Sequence, residues 1–222
     1  ATQITLQLNI LRAVKEFATE ARLLIVGSAE EYGISLSDDE IPYDENHKFR
    51  PINPYAVSKI TQDMLGYAYY VSFGLDIVTV RPFNHIGERQ STDFALPAFT
   101  NQIIAIERGE QEKLMVGNLS AIRDFTDVKD VMNAYIIVMN KGDKGEDYNI
   151  GSGIGVKMID LVKKLTALST KEIILEEDKS RLRPHDIPKM VVDNRKVKSL
   201  GWSPEIPLED SLQRLIKSAR SI

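Results

Sequence analysis

In the stretch "INPYAVSKI", residues 52 to 60, a tyrosine, Tyr55, and a lysine, Lys59, stand four apart directly after Asn53 and Pro54. Residues at that spacing are neighbours on one helix face, and an ammonium beside a phenol favours the phenolate, lowering a pKa that is about 10 when unperturbed. A tyrosine tuned in this way exchanges protons near neutral pH and can act as a general acid. Taken alone the pair is weak evidence, because a half-buried tyrosine beside a solvated lysine is the commoner origin of such a spacing. Support has to come from other segments.

The rest of the composition closes off competing chemistries. The chain has no cysteine, which removes disulfides, thiolate metal sites and cysteine nucleophiles together. His47, His85 and His185 are too scattered to suggest a metal cluster, so no metal is expected. With a formal net charge of -4 and no long run of one sign, nothing points to a nucleic-acid or membrane partner, and an anionic ligand must be held by local arginines. No apolar run approaches the roughly 20 residues of a membrane helix. The chain opens "ATQITLQLNILRAV", without methionine and already inside an amphipathic pattern of Ile4, Leu8, Leu11 and Val14, so it reads as truncated and its lack of a signal peptide carries little weight.

At 222 residues and 43% hydrophobic composition the chain can bury the core of one large domain or two small ones. The elements that must position Tyr55 follow from pattern. Asn53 as cap, Pro54 at the first position and Gly74 as stop predict a helix over 54–73. "RLLIVGS" at 22–28 and "LDIVTVRP" at 75–82 read as buried parallel strands on either side of it. Helix, strand, helix, strand is the alternation of a doubly wound α/β sheet, in which ligands bind at the carboxyl ends of strands. Ser28 and Asn84 sit at those ends and Tyr55 opens the helix between them, so three separated segments converge on one crevice.

Further along, helices are predicted over 95–109 and 130–139, a strand over 112–117, a strand and turn at "DYNIGSG", and a final amphipathic helix from about Leu208. The last third, with "IDLVKKLTAL", "EIILEED" and "KMVVD", reads as smaller and mixed. "GSGIG" at 151–155 follows a strand and precedes a helix but lacks the GxGxxG spacing, and it is read as a turn rather than a phosphate loop.

In order, "VGSAEEYG", "NPYAVSK", "RPFNHIG", "VGNLSAIRDFTDVKDV", "YNIGSG" and "LRPHDIP" form a set. It resembles the extended short-chain dehydrogenase/reductase family, and within it the branch that reduces GDP-4-dehydro-6-deoxy-D-mannose to GDP-D-rhamnose. The resemblance implies a Rossmann-like doubly wound parallel sheet whose N-terminal strands and glycine-rich loop would precede Ala1, with a smaller mixed α/β lobe for substrate. Residues 1–85 with about 122–150 are expected in the cofactor domain, and about 86–121 with 151–222 in the nucleotide-sugar lobe. It implies NADP(H) or NAD(H) as cofactor and hydride delivery to a sugar ketone at C4 in a cytoplasmic enzyme.

Carried over by position, Ser28 hydrogen-bonds the carbonyl, Tyr55 protonates the forming alkoxide, and Lys59 binds the nicotinamide ribose while depressing the tyrosine pKa. Phe83 and His85 fall in the cofactor set. Asn84 is a sugar contact, Arg123 and Arg183 bind the diphosphate, and Asp186 a ribose hydroxyl. Glu30 matches the glutamate that removes the C5 proton in nucleotide-sugar 4,6-dehydratases, which keeps dehydration and 4-epimerisation as alternatives. The residue before it is Ala29, which cannot shuttle a proton, and this favours reduction. A non-catalytic nucleotide-sugar-binding module is a further alternative. A homodimer is expected through helices 1–18 and 54–73, the second carrying the aromatic run "YAYYVSF".

Overall fold

The structure is a computed structural model that describes residues 2–181 and 186–221. Asn53 caps helix α2 (Pro54–Phe73), its side-chain oxygen accepting the Ala56 amide at 2.8 Å. Gly74 ends that helix at φ 68, and Gly109 ends α3 (Ala95–Arg108) at φ 79, both left-handed positions that glycine occupies without steric cost. Helix α1 (Thr2–Phe17) packs along α2.

Strands β1 (Leu23–Val26), β2 (Ile77–Pro82) and β6 (Asp147–Ile150) form a parallel sheet in the order β1-β2-β6. Alternation along β2 divides the packing between the two faces. Ile77 joins Ile25 and Leu11 under α1 and α2. Val78 and Val80 join Val131, Ala134 and Val138 of α4 (Val128–Lys141) on the other face. Helices on both faces of a parallel sheet make this an α/β fold of the doubly wound kind.

A second sheet is built around β5 (Ile122–Asp127), which runs parallel to β3 (Asn84–Ile86) and β9 (Lys189–Met190) and antiparallel to β7 (Gly155–Lys157). A parallel pair, β4 (Lys113–Val116) and β8 (Ile174–Glu177), stands apart from it. Helices α3, α5 (Met158–Thr166) and α7 (Leu208–Arg220) enclose an apolar cluster including Ile103, Leu114, Leu161 and Leu165, while α6 (Arg195–Ser199) lies against β6. Strands β3, β5 and β7 carry "NHI", "IRDFTD" and "GVK", short runs with no apolar alternation, and their pairing partners rather than their own pattern make them strands.

Candidate active site

The carboxyl end of β1 gathers four of the residues singled out by sequence. After Val26 and Gly27 the chain turns at Ser28, whose hydroxyl accepts the Glu30 amide at 3.2 Å and caps the short 3-10 turn 29–31. The Ser28 side chain also lies close enough to the Tyr55 phenol to lower its pKa. Glu30 accepts from Asn53 Nδ2 at 3.0 Å, so the residue that caps α2 also tethers this turn. Lys59 Nζ donates to the Val26 carbonyl at 2.8 Å. Val26 is 40% and Tyr55 47% exposed, which leaves the space in front of them open to a ligand.

Electrostatics correct one expectation. Lys59 was expected to depress the Tyr55 pKa; instead, burial pushes Tyr55 above its ordinary value, the nearby Ser28 side chain opposes that rise, and the carboxylates of Glu30 and Glu31 add to it. Lys59 itself is lowered by burial, with Glu31 acting against the drop. The physical reason lies in direction: the ammonium is spent on the end of β1, whereas the phenol faces the acidic turn.

The remaining predicted residues fall into two groups. Asn84, at the start of β3, has a buried Nδ2 with no hydrogen-bond partner, and His85 beside it approaches the Phe83 carbonyl through Nδ1 at 3.4 Å. Phe83 turns its ring into the core with Tyr32, Tyr43 and Val192, and its amide donates to the Ile150 carbonyl at 2.8 Å. Arg123 and Asp186 meet each other: Arg123 Nη2 donates to Asp186 Oδ1 at 2.7 Å, and Asn118 donates to the other oxygen at 3.0 Å. Arg183 and His185 lie outside the described residues. The "GSG" turn is occupied by a protein carboxylate, since Asp124 accepts the amides of Ser152 at 2.9 Å and Gly153 at 2.8 Å. That agrees with its reading as a turn.

Sequence reasoning missed a cluster beneath the site. Arg81, 4% exposed, contacts Asp63 of α2 through Nε at 2.8 Å and Nη2 at 2.7 Å, Asp147 of β6 through Nη1, and Glu31 of the Ser28 turn at 3.4 Å. The available signal was an arginine inside the buried strand "IVTVRP", where a buried charge demands partners.

Comparison with known proteins places this arrangement. The pattern of the family described as GDP-mannose 4,6 dehydratase matches residues 1–215. GDP-6-deoxy-D-mannose reductase of Pseudomonas aeruginosa is 31% identical over 216 residues, covering 96% of this chain and 71% of that protein. The dTDP-D-glucose 4,6-dehydratase of Mus musculus is 28% identical over 213 residues, covering 94% of this chain and 58% of that protein. Among solved structures, RMD from Pseudomonas aeruginosa complexed with NADPH superposes with a TM-score of 0.91 at 30% identity, covering 97% of this chain and 72% of that one.

Proposed function

The chain belongs to the GDP-mannose 4,6-dehydratase family of extended short-chain dehydrogenases/reductases, and from that premise we propose that it reduces the C4 ketone of a nucleotide-activated 6-deoxy-hexulose, GDP-4-dehydro-6-deoxy-D-mannose, to GDP-D-rhamnose with NADPH. The observation that carries the reading is the meeting of three side chains at the open end of β1: Lys59 bonded to the Val26 carbonyl, and Ser28 near enough to Tyr55 to act on its phenol. Bound NADPH supplies the hydride. The residues present suit its nicotinamide end: a lysine and a tyrosine on one helix face, an open strand end, and the unpartnered buried Asn84 amide, which suits a carboxamide or a sugar hydroxyl.

In this account Ser28 donates to the substrate carbonyl oxygen, and Tyr55 hands the same oxygen a proton as negative charge builds there, a contribution of about 100- to 10,000-fold in rate. Its pKa lies above the ordinary value, so Tyr55 is held in the protonated form that a reduction needs at its start. Lys59, held at the end of β1 by its bond to Val26, would bind the nicotinamide ribose. Arg123 has the planar fork that suits a diphosphate, and Asp186 holds that fork in place in the free protein. Residues 1–85 with 122–150 would serve the cofactor, and 86–121 with 151–222 the nucleotide sugar.

The second reading is dehydration, favoured by Glu30 at the turn. Against it, Ala29 offers no proton shuttle and the Glu30 carboxylate is committed to Asn53. The test is to incubate the full-length protein with NADPH and GDP-4-dehydro-6-deoxymannose, following absorbance. Oxidation of NADPH is expected. Dehydration of GDP-mannose without NADPH oxidation would establish the second reading, and GDP binding without NADPH binding would leave a binding module.

We also infer a homodimer. Leu6, Ile10, Val57, Met64, Tyr67 and Val71 of α1 and α2 are each more than 40% exposed, an apolar surface suited to a second copy of the same two helices. Sedimentation should give a dimer; a monomer at micromolar concentration contradicts this.

A further inference from the structure

Glu31 has no part in the chemistry assigned above, yet its side chain is wholly buried at the floor of the site. Its Oε1 accepts the backbone amide of Ser28 at 2.7 Å. The fit is close enough that a Cβ on residue 27 would lie 2.5 Å from that oxygen, so Gly27 makes room for the carboxyl. Its Oε2 lies 3.4 Å from Arg81 Nε and has no hydrogen-bond partner. Arg81 makes its shorter contacts with Asp63 and Asp147, and donates to the Tyr32 hydroxyl at 3.0 Å. One guanidinium therefore faces three carboxyl groups, of which Glu31 and Asp63 are buried and Asp147 is partly exposed, and three ionised carboxylates would leave uncompensated negative charge there. Glu31, with the longest contact, is the one placed to stay neutral: carrying a proton, its Oε2 can donate to Asp63.

We propose that Glu31 is a positioning residue whose carboxyl holds the Ser28 amide, and with it the Ser28 hydroxyl, in register with Tyr55, and whose proton sets the charge felt by the Tyr55–Lys59 pair. The proposal rests on the assignment of Ser28 and Tyr55 to the reacting carbonyl. Burial first, and then the charge of Asp63, raise the Glu31 pKa to about 8 against the pull of Arg81. The charged and titratable groups around it are Tyr55, Lys59 and Asp63 on α2, Arg81 on β2, Asp147 on β6, and Glu30 and Tyr32 on its own turn. Ionised Glu31 raises the pKa of both Tyr55 and Lys59. Above about pH 8 Tyr55 thus becomes a poorer proton donor, and reduction should slow on that limb.

The test reads the Ser28 amide in ¹H–¹⁵N spectra of the free protein from about pH 6 to 9.5, a range that brackets the Glu31 titration. Its resonance should move with a midpoint near 8 in the wild type and stay flat in Glu31→Gln, which keeps an acceptor but cannot ionise. In Glu31→Val the acceptor is lost, and exchange of the Ser28 amide should quicken roughly tenfold. A Ser28 resonance that is flat in the wild type, or that titrates identically in Glu31→Gln, overturns the proposal. If Glu31→Val does not fold, the Gln titration decides alone. These measurements need neither cofactor nor turnover, so they stand apart from whether the protein reduces a nucleotide sugar. The pH–rate profile completes the test: its basic limb should disappear in Glu31→Gln, and a limb that persists contradicts the link to Tyr55.

Discussion

The apolar core between α3, α5 and α7 and the charged pocket beneath Ser28 each hold side chains wholly shut off from solvent, Leu161 and Glu31 both at 0% exposure, but different forces hold them. In the first, each side chain contributes in proportion to the apolar area it hides, about 25 cal/mol per Å², and neighbours can adjust to a change. In the second, the charge of Arg81 is met by Asp63 and Asp147, with the Glu31 carboxyl beside them, and each partner is oriented by the others. The first region serves stability. The second trades stability for fixed geometry under the Ser28 turn, an arrangement suited to a site where charge must develop in a set direction.

Mutations can break that comparison, and the largest effect is expected at Arg81. Arg81→Met leaves the buried carboxylate of Asp63 and the partly buried one of Asp147 without their cation and should cost about 3–5 kcal/mol in urea unfolding. A loss of under about 1 kcal/mol would mean that charge pairing does not hold this region. Leu161→Ala, in the apolar core, should cost about 2–4 kcal/mol, with the reduction rate per folded molecule unchanged, since the residue lies in the cluster around α5 rather than at the Ser28 turn.

The smallest effect sharpens the comparison through pH. Because the folded-state pKa of Glu31 is raised from 4.5 to about 8, its neutral form contributes stability that is fully present below 4.5 and is lost as pH climbs through 8. The melting temperature of wild type relative to Glu31→Gln should therefore decline as pH rises from 5 to 8, whereas a constant difference would show that Glu31 is not the titrating group.

Much of the fold was legible because its signals are local. Asn53, Pro54 and Gly74 bound α2 at the residues read from sequence, and apolar runs marked β1 and β2. Strands β3, β5 and β7 were not legible, since pairing rather than residue pattern creates them. At the site, Ser28, Glu30, Tyr55 and Lys59 could be brought together by motif order, and they do meet at the end of β1. The direction of the Tyr55 pKa could not, because helix spacing places Lys59 beside it but says nothing of Val26, which takes the ammonium, or of the two glutamates that face the phenol. The Arg81 cluster joins residues from four segments, and no single segment announces it.

The account stands most directly on Tyr55. In the full-length protein, Tyr55→Phe should lower kcat for NADPH oxidation by roughly 100- to 10,000-fold with little change in KM, because the ring still packs while the proton donor is gone. Its thermal melt should stay close to wild type, since the hydroxyl is worth at most a hydrogen bond of about 0.5–1.5 kcal/mol. A folded Phe variant that turns over at near the wild-type rate would contradict the catalytic assignment of the Ser28, Tyr55 and Lys59 site.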